Sequence, residues 1–280
     1  MILIADSGAS KTDWRMISGD GKIDQAQTLG YNPYYQPVDQ LEREISEGLL
    51  PQVKSNIDKI FYYGTGCSSE KNRKMIRQVL ERHFTNAHIE VWHDLLAAAR
   101  ALCGNDEGIA CILGTGSNSC YYDGKKIQEN VTSLGYVLAD EGSGSYFGKR
   151  LLADYLRKEL PEKLWDQFKK RFPMDRDEIL DRVYRDEMPS RFLGSFSHFL
   201  FQHLKEPYCY RLVYEGFDLF FEKNVKKYTR HEEVKIHFVG SVAFYFSDVL
   251  RQVANDKKLV VKNILESPIS GLTLFHNNVS

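Results

Sequence analysis

Residues 2–17 of the chain read ILIADSGASKTDWRMI, and this stretch contains the first copy of a pattern that recurs later in the chain. The apolar run Ile2–Ala5 predicts a short strand, and Asp13–Ile17 predicts a second one after a loop of small residues. The turn Gly19-Asp20-Gly21-Lys22 follows directly, and its glycines accept a positive φ without steric cost. The opening therefore predicts a strand, a Gly/Ser loop, a second strand and a hairpin turn.

The same unit recurs about a hundred residues later. The buried-strand pattern Gly108–Leu113 leads into a second small-residue loop, and a polar-apolar stretch then reaches the turn Asp123-Gly124-Lys125. Two hairpins could share such turn residues by chance, but loop, turn and order agree together, which favours a domain-scale repeat. We predict two related α/β halves that face one another, residues 1–106 and 107–280.

Helical and strand patterns alternate around these two units. The predicted helices are 38–50, 69–84, 94–102, most of 141–228, and 240–254; the further predicted strands are 57–63, 89–92 and 234–239. The long helical stretch is rich in phenylalanine, which favours core packing over a cofactor site.

Composition excludes several classes of protein. The 280 residues contain 37 Lys+Arg and 38 Asp+Glu, so the net charge of -1 argues against a nucleic-acid partner. No apolar run reaches the length of about 18 residues that a membrane helix needs. The N-terminus lacks the basic region of a signal peptide. Five cysteines without a C-x-x-C pair favour a reducing, cytoplasmic compartment.

Small-residue loops adjoin the predicted strands at residues 6–12, 114–119, 142–145 and 240–243. Glycine lets backbone N–H groups approach a phosphate, and Ser or Thr hydroxyls add donors. Neither the G-x-x-x-x-G-K-[ST] spacing of a P-loop nor a G-x-G-x-x-G fingerprint is present. Hairpin loops on two facing halves instead predict a nucleotide held in the cleft between them.

With these loops the chain resembles the actin/Hsp70/sugar kinase superfamily, and within it the N-acetylglucosamine kinase-like group, the BadF/BadG/BcrA/BcrD-type ATPases. The resemblance covers essentially the whole chain. It rests on Asp6-Ser-Gly-Ala-Ser-Lys-Thr12 as first phosphate loop, Leu113-Gly-Thr-Gly-Ser-Asn-Ser119 as second, Asp140-Glu-Gly-Ser143 as the D-E-G-S motif, and Val239-Gly-Ser-Val-Ala243 as adenosine loop.

The resemblance implies two ribonuclease H-like (actin-like ATPase) domains with an interdomain nucleotide cleft. The second domain then carries a helical insertion, and the last helix can pack back on the first domain. It also implies ATP and Mg²⁺ as cofactors and phosphorylation of a sugar hydroxyl, with N-acetylglucosamine or a related amino sugar as the acceptor. The expected phosphate-binding residues are Gly8, Ser10, Lys11, Thr12, Gly114, Thr115, Gly116 and Ser117, and the adenosine-binding residues are Gly240 and Ser241.

Two carboxylates are candidates for the chemistry of phosphoryl transfer. Asp6, at the end of the first strand, is suited to hold the metal, and the resemblance agrees, although it could also cap the loop. Asp94 stands at the start of an Ala-rich helix, where N-cap and general base are equally good interpretations from the residues alone. The resemblance favours the base. The neighbouring His93 could act as base in another scheme, but its position favours a structural role.

Sugar contacts are implied by the resemblance for Asn32, Thr65, Asn118 and Asp140. Asn32 could equally be a turn residue before a proline, and Asp140 a helix N-cap. One departure bears on the sugar: the family's G-G-W-G reads Ser133-Leu-Gly-Tyr136 here, with Leu134 in place of tryptophan.

Two rival functions remain open. The group also contains ATPases that activate a partner dehydratase through a shared iron–sulfur cluster, for which Cys103, Cys111 and Cys120 form no convincing pair. The other rival is a nucleotide-dependent switch without kinase activity. No helix-turn-helix precedes the first strand, so a sugar-responsive repressor is not expected. The expected partner is a small-molecule sugar, and the sequence leaves a homodimer open.

Overall fold

A computed structural model describes residues 1–8 and 11–277 of the chain. Within these residues ten strands form two five-stranded sheets, and the chain divides into two compact units. The first unit is Met1–Asp106 together with the segment that begins at Ser267, and the second is Glu107–Glu266. The predicted range 107–280 for the second half is therefore too long at its end. The segment that begins at Ser267 belongs to the first unit.

The elements alternate between strands and helices in the first unit. They are β1 (Ile2–Ser7), β2 (Lys11–Ile17), β3 (Ile23–Leu29), α1 (Val38–Arg43, continued by a π-helical turn Glu44–Leu49 and a 3₁₀ turn Leu50–Gln52), β4 (Lys59–Gly64), α2 (Glu70–His83), β5 (His88–His93) and α3 (Asp94–Cys103).

The second unit repeats the strands and inserts a run of helices. Its elements are β6 (Gly108–Leu113), β7 (Ser117–Tyr122), β8 (Ile127–Glu129), α4 (Gly135–Leu138), α5 (Gly144–Leu156), α6 (Glu162–Arg171), α7 (Arg176–Tyr184), α8 (Pro189–Ser195), α9 (Ser197–Gln202), α10 (Pro207–Lys223), β9 (Ile236–Val239), α11 (Ser241–Tyr245), α12 (Ser247–Asp256) and β10 (Val261–Leu265). The last helix, α13 (Ile269–Asn277), belongs to the first unit.

The two sheets have the same topology. The first has the order β3-β2-β1-β4-β5 and the second the order β8-β7-β6-β9-β10. In each, the first three strands are antiparallel neighbours and the next two are parallel additions, as the pairings of β1 with β2 and β4, and of β6 with β7 and β9, demonstrate. The repeat inferred from the two loops therefore extends to the whole sheet. It includes β10, a strand that the sequence pattern did not predict.

Each unit has its own hydrophobic core. That of the first is built on Trp14, Ile60 and Tyr62 with helix α2 against the sheet, and that of the second gathers the phenylalanines of α5–α10 over β6 and β9. The aromatic stripes of residues 141–228 are thus core, as expected. Helix α13 packs on α3 so closely that a Cβ on Gly271 would lie 2.3 Å from the carbonyl oxygen of Ala101. In the described part of the chain, no helix is both long and apolar enough to cross a membrane.

Candidate active site

A backbone hydrogen bond joins the described residues on the two sides of the loop between β1 and β2. The backbone N–H of Gly8 donates to the carbonyl of Lys11 at 2.9 Å. The side chain of Lys11 is exposed, and its Nζ lies 2.8 Å from Oδ2 of Asp13. Ser10, predicted to bind phosphate, lies outside the described residues. Gly8 and Lys11 therefore lie on either side of the loop, and Asp13 holds the Lys11 ammonium group in position.

Thr12, also predicted to bind phosphate, faces inward. Its side chain is buried, and Oγ1 donates to the carbonyl of Leu29 at 3.2 Å and lies 2.8 Å from the Ser7 hydroxyl. The hydroxyls of Ser7 and Thr12 thus connect β1 with β2, and Thr12 also connects β2 with β3. A buried hydroxyl without a partner would be costly, so this pairing stabilises the loop.

Asp6 and Asp13 are direct cross-strand partners on β1 and β2. Opposite residues of an antiparallel pair point to the same face, with Cβ atoms about 5 Å apart, so both carboxylates stand on one face of the sheet. Gln27 Nε2 donates to Asp13 Oδ1 at 2.8 Å, and Ser267 Oγ donates to Asp6 Oδ2 at 3.3 Å. Sequence reasoning missed Asp13 and Ser267. Cross-strand register could have found Asp13, whereas Ser267 is 261 residues away from Asp6 along the chain.

The surroundings of Asp6 favour a bound cation. Burial, and then the negative charges of Asp13 and Asp94, raise the pKa of the Asp6 carboxyl to about 7, against the opposing effects of Ser267 and Lys11. Carboxylate oxygens are hard donors, and Mg²⁺ is normally held by one or two carboxylates together with phosphate oxygens and water. Asp6, with Asp13 beside it, therefore fits a Mg²⁺ ion. Among the described residues there is no cluster of three or more His, Cys, Asp or Glu side chains that could hold a metal.

Asp94 begins α3 but does not cap it. The N-cap is His93, whose Nδ1 accepts the N–H of Leu96 at 3.3 Å, and burial lowers the pKa of this imidazole. The N-cap interpretation of Asp94 is thus wrong, because its neighbour fills that position. The Asp94 carboxylate accepts the N–H of Leu95 at 2.8 Å and a hydrogen bond from the Thr65 side chain. Burial nevertheless raises the pKa of Asp94, which makes it a better proton acceptor than an exposed aspartate.

Two of the predicted sugar contacts lie in the first unit. Thr65 follows β4 and, through its bond to Asp94, joins the candidate base. Asn32 forms the turn that its position before Pro33 suggested, because its Oδ1 accepts the N–H of Tyr34 at 3.0 Å. The same oxygen lies against Gly66, which has a φ of +75° and where a Cβ would approach it to 2.5 Å. Gly66 therefore allows Asn32 to reach the segment that carries Thr65.

In the second unit, hydrogen bonds from the first residues of α5 hold the loop between β6 and β7. The N–H of Gly114 donates to the carbonyl of Gly116 at 3.0 Å. The Gly114 and Thr115 carbonyls accept the N–H groups of Gly144 and Ser145 at 2.8 and 3.0 Å. The first turn of α5, directly after the D-E-G-S motif, thus braces the second glycine loop, and the side chain of Thr115 is exposed.

Asp140 is directed at this loop. It is buried, with a φ of +62°, a conformation that costs a non-glycine residue roughly 1 kcal/mol or more. Its carboxylate accepts the backbone N–H of Ser117, and a Cβ on Gly116 would lie 2.9 Å from Oδ2. Burial raises its pKa. The N-cap interpretation of Asp140 is wrong, because Ser143 caps α5.

Three other predicted positions, Asn118, Gly240 and Ser241, lie near the same end of the second sheet. Asn118, on β7, accepts the N–H of Ser119 at 2.9 Å and the Nδ2 of Asn130 at 3.1 Å. Gly240 follows β9 with a φ of +122°, and a Cβ there would lie 2.2 Å from the carbonyl oxygen of Leu113. Ser241 begins α11 and is exposed. Glycine at 240 thus brings the predicted adenosine loop against the end of β6, beside the phosphate loop.

No protein-family model matches the chain, and no curated protein matches it. Among solved structures it is similar to a Porphyromonas gingivalis protein provisionally named an N-acetylglucosamine kinase, with 42% identity, 99% of each chain covered and a TM-score of 0.94. A Chromobacterium violaceum protein with the same provisional name is 17% identical, with 98% of each chain covered and a TM-score of 0.72. A ROK family glucokinase from Streptomyces griseus, determined with glucose and AMPPNP, is 12% identical, with 99% and 98% covered and a TM-score of 0.55.

The duplicated sheet with a glycine loop after the first strand of each copy defines the class of protein: an actin-like ATPase fold, which the two more distant structures share. The 42% identity over the full chain goes further. The chain belongs to the N-acetylglucosamine kinase-like family of the actin/Hsp70/sugar kinase superfamily. The predicted fold class and family resemblance are confirmed.

Proposed function

We propose that this protein is an ATP-dependent sugar kinase that phosphorylates a hydroxyl of N-acetylglucosamine or a related amino sugar in the cytoplasm. The observation that carries the proposal is the 42% identity, across the whole chain, to the provisionally named N-acetylglucosamine kinase. The arrangement of acidic residues and glycine loops supplies the chemistry that such a reaction requires.

Both units offer a loop suited to phosphate oxygens. In the first, Gly8 and the exposed Lys11 supply a backbone donor and a cation. In the second, the stretch from Gly114 to Ser117 supplies backbone N–H groups and hydroxyls on a braced turn. Backbone donors fixed in place before the substrate arrives stabilise developing charge without further reorganisation. Gly240 and Ser241 are the proposed contacts to adenosine.

Mg²⁺ is the proposed metal, and when bound it would neutralise phosphate charge. Asp6 would hold it, with Asp13 beside it on the same face of the sheet. The Ser267 hydroxyl orients Asp6, and Lys11 partly offsets the combined negative charge of the two carboxylates. Each of these residues therefore has a task that can be tested by substitution.

Asp94 is the proposed general base. Its carboxylate would accept the proton of the sugar hydroxyl as that oxygen attacks the terminal phosphate of ATP. A base works best when its pKa is close to the working pH, and burial moves Asp94 in that direction. The hydrogen bonds from Leu95 and Thr65 hold the carboxylate in one orientation.

Asn32, Thr65, Asn118 and Asp140 remain the proposed sugar contacts. Amide and carboxylate groups suit neighbouring sugar hydroxyls, because they accept or donate hydrogen bonds in pairs. The contacts of Asp140 with Gly116 and Ser117 support a second task, which is to shape the phosphate loop. Leu134, which is 54% exposed, replaces the family's tryptophan and makes the identity of the sugar the first question to test.

The test is ADP release with ATP and Mg²⁺ across amino sugars, muropeptide fragments and simple hexoses. A kinase gives ADP only with its acceptor, and the phosphorylated sugar appears in equal amount. Slow ADP release that no sugar accelerates would indicate a nucleotide-dependent switch instead.

The other rival, an ATPase that activates a partner through an iron–sulfur cluster, is disfavoured by the positions of the cysteines. All five are buried: Cys67, Cys103, Cys111, Cys120 and Cys209. A cluster shared between subunits needs thiolates at a surface. Iron bound to protein purified without oxygen would revive this function.

A further inference from the structure

A cavity of about 620 Å³ lies in the second unit, among α4, α5, α7 and α8. Its floor is apolar and buried, formed by Leu152, Ile179 and Leu193. Leu156 and Val183 form part of its walls. None of the residues proposed for catalysis lines it. The volume falls within the range of about 300–1,000 Å³ that is typical of small-molecule sites.

The rim of this cavity is cationic. Lys149, Arg157 and Arg176 line it, and no Asp or Glu is among the described residues that do so. In a chain whose net charge is -1, three cations around an apolar floor are a local concentration of positive charge.

Two of these cations are available to a ligand. Arg157 is exposed and forms no ion pair with any of the described residues. Among the described residues, Arg176 forms an ion pair only with the exposed Asp177, at 2.8 Å. An exposed pair of this kind is weak, so a ligand can replace it. Lys149 is less available, because its Nζ donates to the carbonyl of Tyr136 at 2.7 Å.

We propose that this cavity binds a small amphipathic carboxylate, with its apolar chain against Leu152, Ile179 and Leu193 and its carboxylate at Arg157 and Arg176. The guanidinium group presents paired donors that match the two oxygens of a carboxylate. Burial of the ligand's apolar chain against these leucine and isoleucine side chains supplies most of the affinity, because apolar surface is removed from water. None of the residues proposed for the kinase reaction lines this cavity, so the ligand-binding proposal can be tested independently of that function.

The test is isothermal titration of the full chain with decanoate, using acetate and 1-octanol as probes of charge alone and of apolar character alone. The double variant Arg157→Gln/Arg176→Gln removes the proposed carboxylate contacts. Arg185→Gln is the matched control, because Arg185 is an exposed arginine that follows α7 but does not line the cavity. Ala153→Phe narrows the cavity without changing its charge.

Decanoate should bind the natural chain and the Arg185→Gln variant with the same Kd. The double variant should raise that Kd at least tenfold, and Ala153→Phe should abolish binding while the melting temperature stays within 2 °C of the parent. Acetate should not bind, and the Kd for 1-octanol should be the same for the natural chain and for the double arginine variant. Absence of decanoate binding, or binding that the double variant leaves unchanged, overturns the proposal. So does dimerisation that buries Val137 and Tyr184 and excludes decanoate, since a second copy then covers the cavity.

Discussion

Asp6 and Asp13 face each other across β1 and β2, two carboxylates on one face of the first sheet. Two like charges at such a separation repel, and burial adds to the cost of ionising Asp6. Lys11 forms an ion pair with Asp13, whereas no ion pair joins Asp6 to any of the described residues. The pair therefore supports the proposed Mg²⁺ site, because a divalent cation would offset the charge of both carboxylates.

The charge of Asp6 predicts a specific dependence of stability on pH. The pKa of Asp6 is about 7 in the folded chain, against its ordinary value of 3.8. Between these two values the folded state therefore holds a proton that the unfolded state has released. The unfolding free energy should therefore fall as pH rises from about 4 to 7 and then level off. Asp6→Asn, which cannot ionise, should be more stable than its parent by ~1–3 kcal/mol at pH 8, and the two should converge near pH 4.

Urea unfolding of both proteins across this range, without added metal, measures the difference. Asp39→Asn serves as the control, because Asp39 is an exposed acid in the first turn of α1. A gap that stays constant with pH would show that Asp6 ionises normally. Adding Mg²⁺ with ATP should stabilise the parent and have little effect on Asp6→Asn.

Asp94→Asn should lower the rate of sugar-dependent ADP release by about 10²–10⁴-fold, the usual contribution of a general base. The affinity for ATP should change by less than about threefold, since the amide keeps the shape of the side chain and can still accept the hydrogen bond from Leu95. Steady-state kinetics and nucleotide titration measure the two effects. A variant that phosphorylates at the normal rate would remove Asp94 from the mechanism.

Substitutions at Gly116 and Gly114 allow a matched test of the proposed second phosphate loop. A Cβ at Gly116 meets Asp140 Oδ2 at 2.9 Å, whereas a Cβ at Gly114 meets nothing within 4 Å. Gly116→Ala should therefore displace the Asp140 carboxylate from Ser117 and lower the unfolding free energy by about 1–2 kcal/mol. Gly114→Ala should stay within about 0.5 kcal/mol of the parent. Equal losses in thermal or urea unfolding would mean that Asp140 does not hold this loop.

Gly240→Ala should prevent normal folding. Its φ of +122° is rarely adopted by other residues, and its Cβ would lie 2.2 Å from a backbone oxygen of β6, which cannot move without disrupting the sheet. We expect a loss of at least ~3 kcal/mol, seen as insoluble protein or a melting temperature lower by 10 °C or more. Gly19→Ala, where no atom lies within 4 Å of the new carbon, should behave like the parent. A well-folded Gly240→Ala chain would contradict this account of the loop.

Much of the architecture follows from local pattern. The duplicated unit can be predicted because its signals are short-range. They are the run Ile2–Ala5, the loop after it and the Asp-Gly-Lys turns. Strand β10 was missed because the stretch after Leu259 mixes Lys and Asn with apolar residues and lies only partly buried at the edge of its sheet. Its strand character comes from pairing with β9, which no local pattern contains.

The kinds of residue at the site are evident from the sequence: an aspartate near the end of the first strand, glycines in the loops and an acid at the start of α3. The direction of each side chain, in contrast, depends on contacts that form only in the folded chain. Cross-strand register put Asp13 beside Asp6, a buried hydroxyl network turned Thr12 away from the loop, and a positive φ aimed Asp140 at Ser117. The physical reason is that hydrogen bonding and burial select a side chain's direction through neighbours distant in sequence, while residue type and spacing define only which chemistry is available.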